Sequence, residues 1–165
     1  MKKVLPLILL CLIIVISCND NNINKPQTEN YLCCEGNQFI SDNINNLDES
    51  LGKIKIIPIF TPNGDGINDI FKIENIDLYP SNSVTLYDLD NNVIFSTDNY
   101  GSKNYYGGNL NIKNGSLKYK VIVKNEQTFV QYGYVCVVTE AKSDSTFNFS
   151  SKCLLADFND PIIIN

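Results

Sequence analysis

The chain has no histidine. A Ser-His or Cys-His nucleophile pair therefore cannot be assembled from it, and general acid–base work would fall to carboxylates alone. Asp88, Asp90 and Asp98 are available for that work, but they fall at hairpin ends, where solvated turn formers are the rule. Neither a glycosidase-like carboxylate pair nor any other enzyme activity is expected. The Gly-rich loop near residue 64 is not followed by G-K-[ST], and Asp65 and Asp69 within it would repel phosphate. Past residue 17 there is no long apolar run, so nothing in that part is expected to cross a bilayer, which takes about 20 apolar residues. No C-x₂₋₄-C pair occurs, which removes the usual spacing of a structural zinc site. Positive charge is also short. Lys and Arg number 13 against 18 Asp and Glu, for a net charge of −5, which argues against nucleic acid as a partner.

What is present starts at the N-terminus. Lys2 and Lys3 precede an apolar stretch from Val4 to Ile16, interrupted only by Pro6, and the stretch stops at Ser17-Cys18 before Asn19-Asp20-Asn21-Asn22. A charged start with a short apolar core is the layout of an export signal. The ending Val15-Ile16-Ser17-Cys18 resembles the bacterial lipobox, in which a small residue precedes a cysteine that is acylated before cleavage. Residues 1–17 are thus read as a lipoprotein signal peptide, with Cys18 as the lipidated N-terminus of the mature chain. Two or more acyl chains hold a protein stably to a membrane, at ~0.8 kcal/mol per buried CH₂. Residues 18–30, rich in Asn and polar, are read as a flexible tether, and residues 31–165 as one domain.

Four cysteines remain in that domain: Cys33, Cys34, Cys136 and Cys153. An exported chain can oxidise them. A bridge between the adjacent Cys33 and Cys34 would close a strained eight-membered ring, so each is expected to pair with one of Cys136 and Cys153, in either of two ways. Either bridge would close a loop on the order of 100 residues, worth up to ~4.7 kcal/mol in the chain-entropy model. Free buried thiols and a four-thiolate metal site are the alternatives.

From Lys53 onward, β-branched and aromatic residues recur in short runs separated by Asn, Asp, Gly and Ser. This predicts an all-β domain. Strands are expected at Ile54 to Ile57, Ile70 to Ile76, Val84 to Leu89, Val93 to Ser96, Tyr119 to Val123, Phe129 to Val138 and Phe147 to Leu155. Asp90-Asn91-Asn92 and Asn125-Glu126-Gln127 read as hairpin turns, since Asn and Asp tolerate left-handed backbone. About seven strands at this spacing favour an antiparallel β-sandwich. Phe39, Ile44, Leu47 and Leu51 fall near a 3.6-residue period, which predicts a short amphipathic helix there. The tail Pro161-Ile162-Ile163-Ile164-Asn165 reads as an edge strand or a sticky end.

The most specific string is Phe60-Thr61-Pro62-Asn63-Gly64-Asp65-Gly66-Ile67-Asn68-Asp69-Ile70-Phe71. It resembles the opening F-T-P-N-G-D-G-x-N-D-x-F of the gliding-motility-associated C-terminal domain, the type B C-terminal domain of the Bacteroidetes type IX secretion system. Tyr79-Pro80, Val84-Thr85-Leu86-Tyr87, Val93-Ile94-Phe95 and Tyr100 are similar to later strands of that family. The chain departs from it at Asp88-Leu89-Asp90-Asn91, where the family has N-R-W-G, at Tyr106-Gly107-Gly108, where it has W-x-G, and at Asn114-Gly115-Ser116-Leu117-Lys118-Tyr119, which reduces L-P-x-G-x-Y-x-Y. The resemblance spans about residues 54–138 and implies a small Ig-like sandwich at the cell surface.

The alternation Asn63, Asp65, Ile67 (by its carbonyl) and Asp69 places an oxygen at every second residue, so this loop is a candidate calcium site of roughly 10⁻⁴–10⁻³ M affinity. The alternative is a structural turn whose Asp and Asn side chains bond their own backbone. Tyr100, Tyr105 and Tyr106, beside Gly101 and Gly107, offer either a sugar-stacking platform or a cover for the sandwich edge. Asp144-Ser145-Thr146 resembles a three-residue O-glycosylation site of exported Bacteroidetes proteins. The expected function is that of a lipid-anchored outer-membrane protein facing the cell surface, a non-catalytic interaction or scaffold module for type IX secretion, gliding or adhesion. Its expected partner is a surface protein or a glycan, with a glycan-binding surface lipoprotein as the alternative.

Overall fold

In chain order the strands are β1 (Ile44–Asn45), β2 (Lys55–Ile56), β3 (Ile59–Phe60), β4 (Ile73–Glu74), β5 (Asn82–Tyr87), β6 (Val93–Asp98), β7 (Gly115–Val123) and β8 (Phe129–Val137). They come from a computed structural model, which describes residues 31–35, 39–101, 104–107, 113–140 and 160–163. Cys18, the 18–30 tether, Asp144-Ser145-Thr146, Cys153 and the strand expected at Phe147 to Leu155 lie outside the described residues.

No α-helix occurs among the described residues. The helix expected from Phe39 to Leu51 is replaced by two 3-10 turns, Ile40–Asp42 and Glu49–Leu51, on either side of β1. Two local causes compete with helix there. Asn45 accepts from the Leu47 amide and Asp48 from the Ser50 amide, so short polar side chains bind the backbone in non-helical form. Ile44 and Asn45 meanwhile pair with Val130 and Phe129 of β8. Of the tail from Pro161 to Asn165, the described residues Pro161 to Ile163 form a turn closed by Ile163 N–H to the Asp160 carbonyl, and Ile164 and Asn165 lie outside the described residues.

The main sheet has the order β1-β8-β7-β5-β6, with β3 also on β8. Because β7 covers one side of β8 from Phe129 to Val137, β1 and β3 share the other side, one at each end. β3 runs parallel to β8 (Ile59 opposite Cys136), which makes this sheet mixed; every other pairing is antiparallel. The hairpins turn where the sequence predicts. In the first, Asn91 takes φ 70° and Asp88 accepts from the Asn92 amide; in the second, Lys124 takes φ 63° and Asn125 caps Gln127 and Thr128.

Strand alternation then decides the core. Val84 and Leu86, Tyr119, Val121 and Val123, and Val135 and Val137 face inward from β5, β7 and β8. The second layer of the sandwich is the two-stranded β2–β4 sheet together with loop residues Phe71, Ile76, Tyr79, Tyr100 and Tyr106. Asn82 ties those loops to the main sheet. Its side-chain N–H group donates to the Tyr79 carbonyl at 2.8 Å and its oxygen accepts from the Tyr100 amide at 2.8 Å. Among the described residues no buried side-chain polar atom lacks a partner, as a low-dielectric interior demands.

Candidate functional site

The loop between β3 and β4 is built as a turn that caps itself. Gly64 (φ 82°) and Gly66 (φ 88°) take the left-handed backbone that only glycine adopts cheaply. This curls the chain so that both oxygens of Asp69 accept from amides, those of Gly64 and Gly66, at 2.7 Å each. Asn63 accepts from the Asp65 amide at 3.0 Å, and Asp65 from the Ile67 amide at 2.8 Å and from the Asn63 side chain at 3.0 Å. The Ile67 carbonyl faces the Thr61 hydroxyl at 3.2 Å. The oxygens of Asn63, Asp65, Ile67 and Asp69 on which a calcium site would rest are thus engaged within the loop. These hydrogen bonds are those of the structural-turn alternative.

Of the two readings of Tyr100, Tyr105 and Tyr106, the sugar platform is not formed, because these rings belong to the core side of the fold. Tyr100 is 1% exposed and Tyr106 8%. The Tyr100 hydroxyl donates to the Phe71 carbonyl and accepts from the Tyr106 amide, and burial pushes its pKa well above the usual phenol value. Tyr105, half-buried, stands edge-on to Tyr100 at 77° and reaches Asp77 at 3.2 Å. Perpendicular, buried rings cannot stack on a flat sugar face. They fill the edge of the sandwich, which is the other reading of the same residues.

Of the cysteines, Cys33 is bridged to Cys136 across a separation of 103 residues. Cys34 is disulfide-bonded as well. The bridge fixes the 3-10 turn Leu32–Cys34 onto β8, where the Leu32 amide also donates to Ser116 at 2.8 Å. Tyr31, Cys33, Ile162 and Ile163 pack there on Ile59, Cys136 and Val138 as a second, smaller core. Asp160, fully buried, accepts from the Thr61 hydroxyl and the Ile162 amide. Segments before β1 and after β8 therefore meet at one place.

One surface was missed by sequence reasoning. Lys118 and Lys120 of β7 and Tyr132 and Tyr134 of β8 alternate out of the core, which sets Lys118 between Tyr87 and Tyr134 and Lys120 between Thr85 and Tyr132. Lys120 lies 5.5 Å from the Tyr132 ring centroid and pairs with Glu126 at 2.5 Å, which raises its pKa. The Lys118 ammonium donates to the Leu89 carbonyl and the Asn91 side chain, both at 2.8 Å. Phe39 leans on Tyr132 and Tyr134, with centroids 6.4 and 5.4 Å away. Leu89, Val93 and Ile94 are exposed at the neighbouring hairpin. The signal was the alternation Lys118-Tyr119-Lys120-Val121 against Tyr132-Gly133-Tyr134-Val135; which half of each pair faces out needed the partner strand.

A mixed six-stranded sheet closed by a two-stranded one, with a self-capped Asn/Asp/Gly turn at its end, defines a small all-β sandwich domain. The CHU_C Type IX secretion signal domain family matches residues 54–137, from the residue before β2 to the last of β8, and the chain belongs to that family. Membership marks it as a secreted or cell-envelope protein with a role related to type IX secretion. No curated protein and no solved structure matches the chain.

Proposed function

We propose that this protein is a lipid-anchored envelope component that displays its type IX signal domain as a non-catalytic interaction module on the outer membrane. The observation that carries the reading is the family match from β2 to β8, taken with the Ser17-Cys18 junction of the sequence. A lipid on Cys18 gives the chain its own hold on the membrane, so the domain acts in place. The absence of histidine supports a binding role over catalysis. The surface we assign to a protein partner is the outer sheet face, where tyrosines, one phenylalanine and two lysines lie side by side. Tyrosine and phenylalanine rings are enriched at such contacts.

Metabolic labelling with an alkynyl fatty acid, followed by protease treatment of intact cells, tests both halves. Wild-type chain should carry the label and be shaved from the surface, and Cys18→Ser should carry none. Equal labelling of the variant would remove the anchor, and full protection from protease would place the domain on the inner side.

A further inference from the structure

The two edges of the main sheet are finished differently. The outer edge of β8 is covered by β1 at one end and β3 at the other, and between them the Asn43 side chain accepts from the Tyr132 amide. At the far side of the sheet β6 pairs with β5, and among the described residues no strand lies on its other edge. The ladder shows which backbone groups face that side. The Asn99 amide donates to the Asn82 carbonyl at 2.8 Å, so these two form a bonded pair, and in an antiparallel ladder bonded pairs alternate with non-bonded ones. Val84 with Thr97 and Leu86 with Phe95 are then bonded pairs, whereas Ser96 and Asp98 turn their N–H and C=O groups away from β5. The Lys124 amide on the Ser81 carbonyl sets the same parity from the β7 side. Edge strands are ordinarily guarded by lysine, proline or an inward-pointing charge. Val93-Ile94-Phe95-Ser96-Thr97-Asp98 has none of these: Phe95 and Thr97, opposite buried Leu86 and Val84, are uncharged, and Val93 and Ile94 are 60% and 41% exposed. A register shift at Leu86 and Tyr87 bends the Val93 end, which leaves Phe95 to Asp98 as the regular part of the edge.

We propose that β6 pairs antiparallel with β6 of a second copy of this chain, about a two-fold axis between the two Ser96 residues, so that two main sheets join into one. An extended backbone is what supplies donors and acceptors at the two-residue spacing of Ser96 and Asp98. Charge then selects the copy and the register. Asp98 is the one charged residue of the strand, and an axis at Asp98 would set two carboxylates face to face, which is unfavourable. An axis at Ser96 sets serine against serine, Phe95 against Thr97 of the second copy, and Asp98 against its Ile94, so that no like charges meet. Each Ser96 N–H donates to the Ser96 carbonyl of the other chain. The pairing extends the sheet sideways and leaves its outer face open, so it is independent of the partner surface assigned above. So short an edge lies at the small end of protein interfaces, and the dimer is therefore concentration-dependent.

The test uses the full chain in mild detergent, with the protein mass followed by light scattering over a concentration series. Wild type should move toward the mass of two chains as concentration rises. Ser96→Pro removes an N–H that faces away from β5, so it should hold the chain single with its circular dichroism unchanged. Ser96→Lys sets two ammonium groups together on the axis; it should also abolish the dimer, and it decides the matter if the proline disturbs the fold. Ser96→Cys should be joined to its own copy by a short bis-maleimide, whereas Thr85→Cys, one strand further in on the same face, should not. A wild-type chain that stays single throughout overturns the proposal. A dimer that survives Ser96→Lys, or equal cross-linking from Thr85→Cys, overturns it as well.

Discussion

Alkaline unfolding should report directly on the buried tyrosines. Tyr119 lies in the core over Gly133, and burial pushes its pKa up to about 12, while Tyr100 is raised further still by the same cause. An unfolded tyrosine ionises near pH 10. Between pH 10 and 12 the unfolded chain therefore binds fewer protons than the folded one, and stability falls as pH rises. Below pH 10 both states are neutral at these positions and nothing is lost. Two pH units at ~1.36 kcal/mol each amount to about 2.7 kcal/mol from Tyr119 alone. Tyr100 adds to it in the same direction. Against a typical stability of 5–15 kcal/mol for a small domain, that brings the chain close to its unfolding transition. The sequence has no tryptophan, so the nine tyrosines are the main near-ultraviolet chromophores and the phenolate band can be followed cleanly. Titration should show a final ionisation step coincident with loss of the β signal in circular dichroism. Tyr119→Phe keeps the ring and gives up only a 3.4 Å contact to Gln131, so it should move the alkaline midpoint upward. A single phenolate step near pH 10 with the sheet intact, or an unmoved midpoint in Tyr119→Phe, would refute the burial argument.

Three further substitutions test the same frame. Tyr100→Phe removes the hydroxyl that joins the Phe71 carbonyl to the Tyr106 amide and should cost about 1–3 kcal/mol, read from urea denaturation. Gly133→Ala puts a methyl against the Tyr119 ring and hydroxyl; a loss of roughly 1–3 kcal/mol is expected, and Tyr119→Phe in the same chain should return only a little of it because the ring itself is in the way. Asp69→Ala takes away the acceptor shared by the Gly64 and Gly66 amides and should lower stability by about 1–2 kcal/mol. For wild type, millimolar calcium should leave the melting temperature unchanged in calorimetry, and a clear rise would restore the calcium reading of the loop.

The local content of the sequence was enough for most of the elements. β-branched runs between Asn and Asp turns determined β5 to β8 and both hairpins, because period-two alternation and left-handed asparagine act over a few residues. The F-T-P-N-G-D-G string determined the family by itself. What it could not determine was the use of those oxygens. A cation cage and a self-capped turn share one composition, and only the backbone path through Gly64 and Gly66 brings Asp69 onto the amides. Tyr100 and Tyr106 are equally ambiguous alone, since an aromatic beside glycine suits a surface platform or a sheet edge. Their burial followed from Asn82 and Phe71, distant in sequence, which hold the loop against the main sheet. The same holds for Phe39 to Leu51, where a helical period gave way to pairing with β8, and for β3, whose parallel register is invisible until β8 is in place. Cys33 had two possible partners by sequence. Tertiary structure chose Cys136, where Tyr31 and Cys33 pack on Ile59 and Val138 at the end of β8.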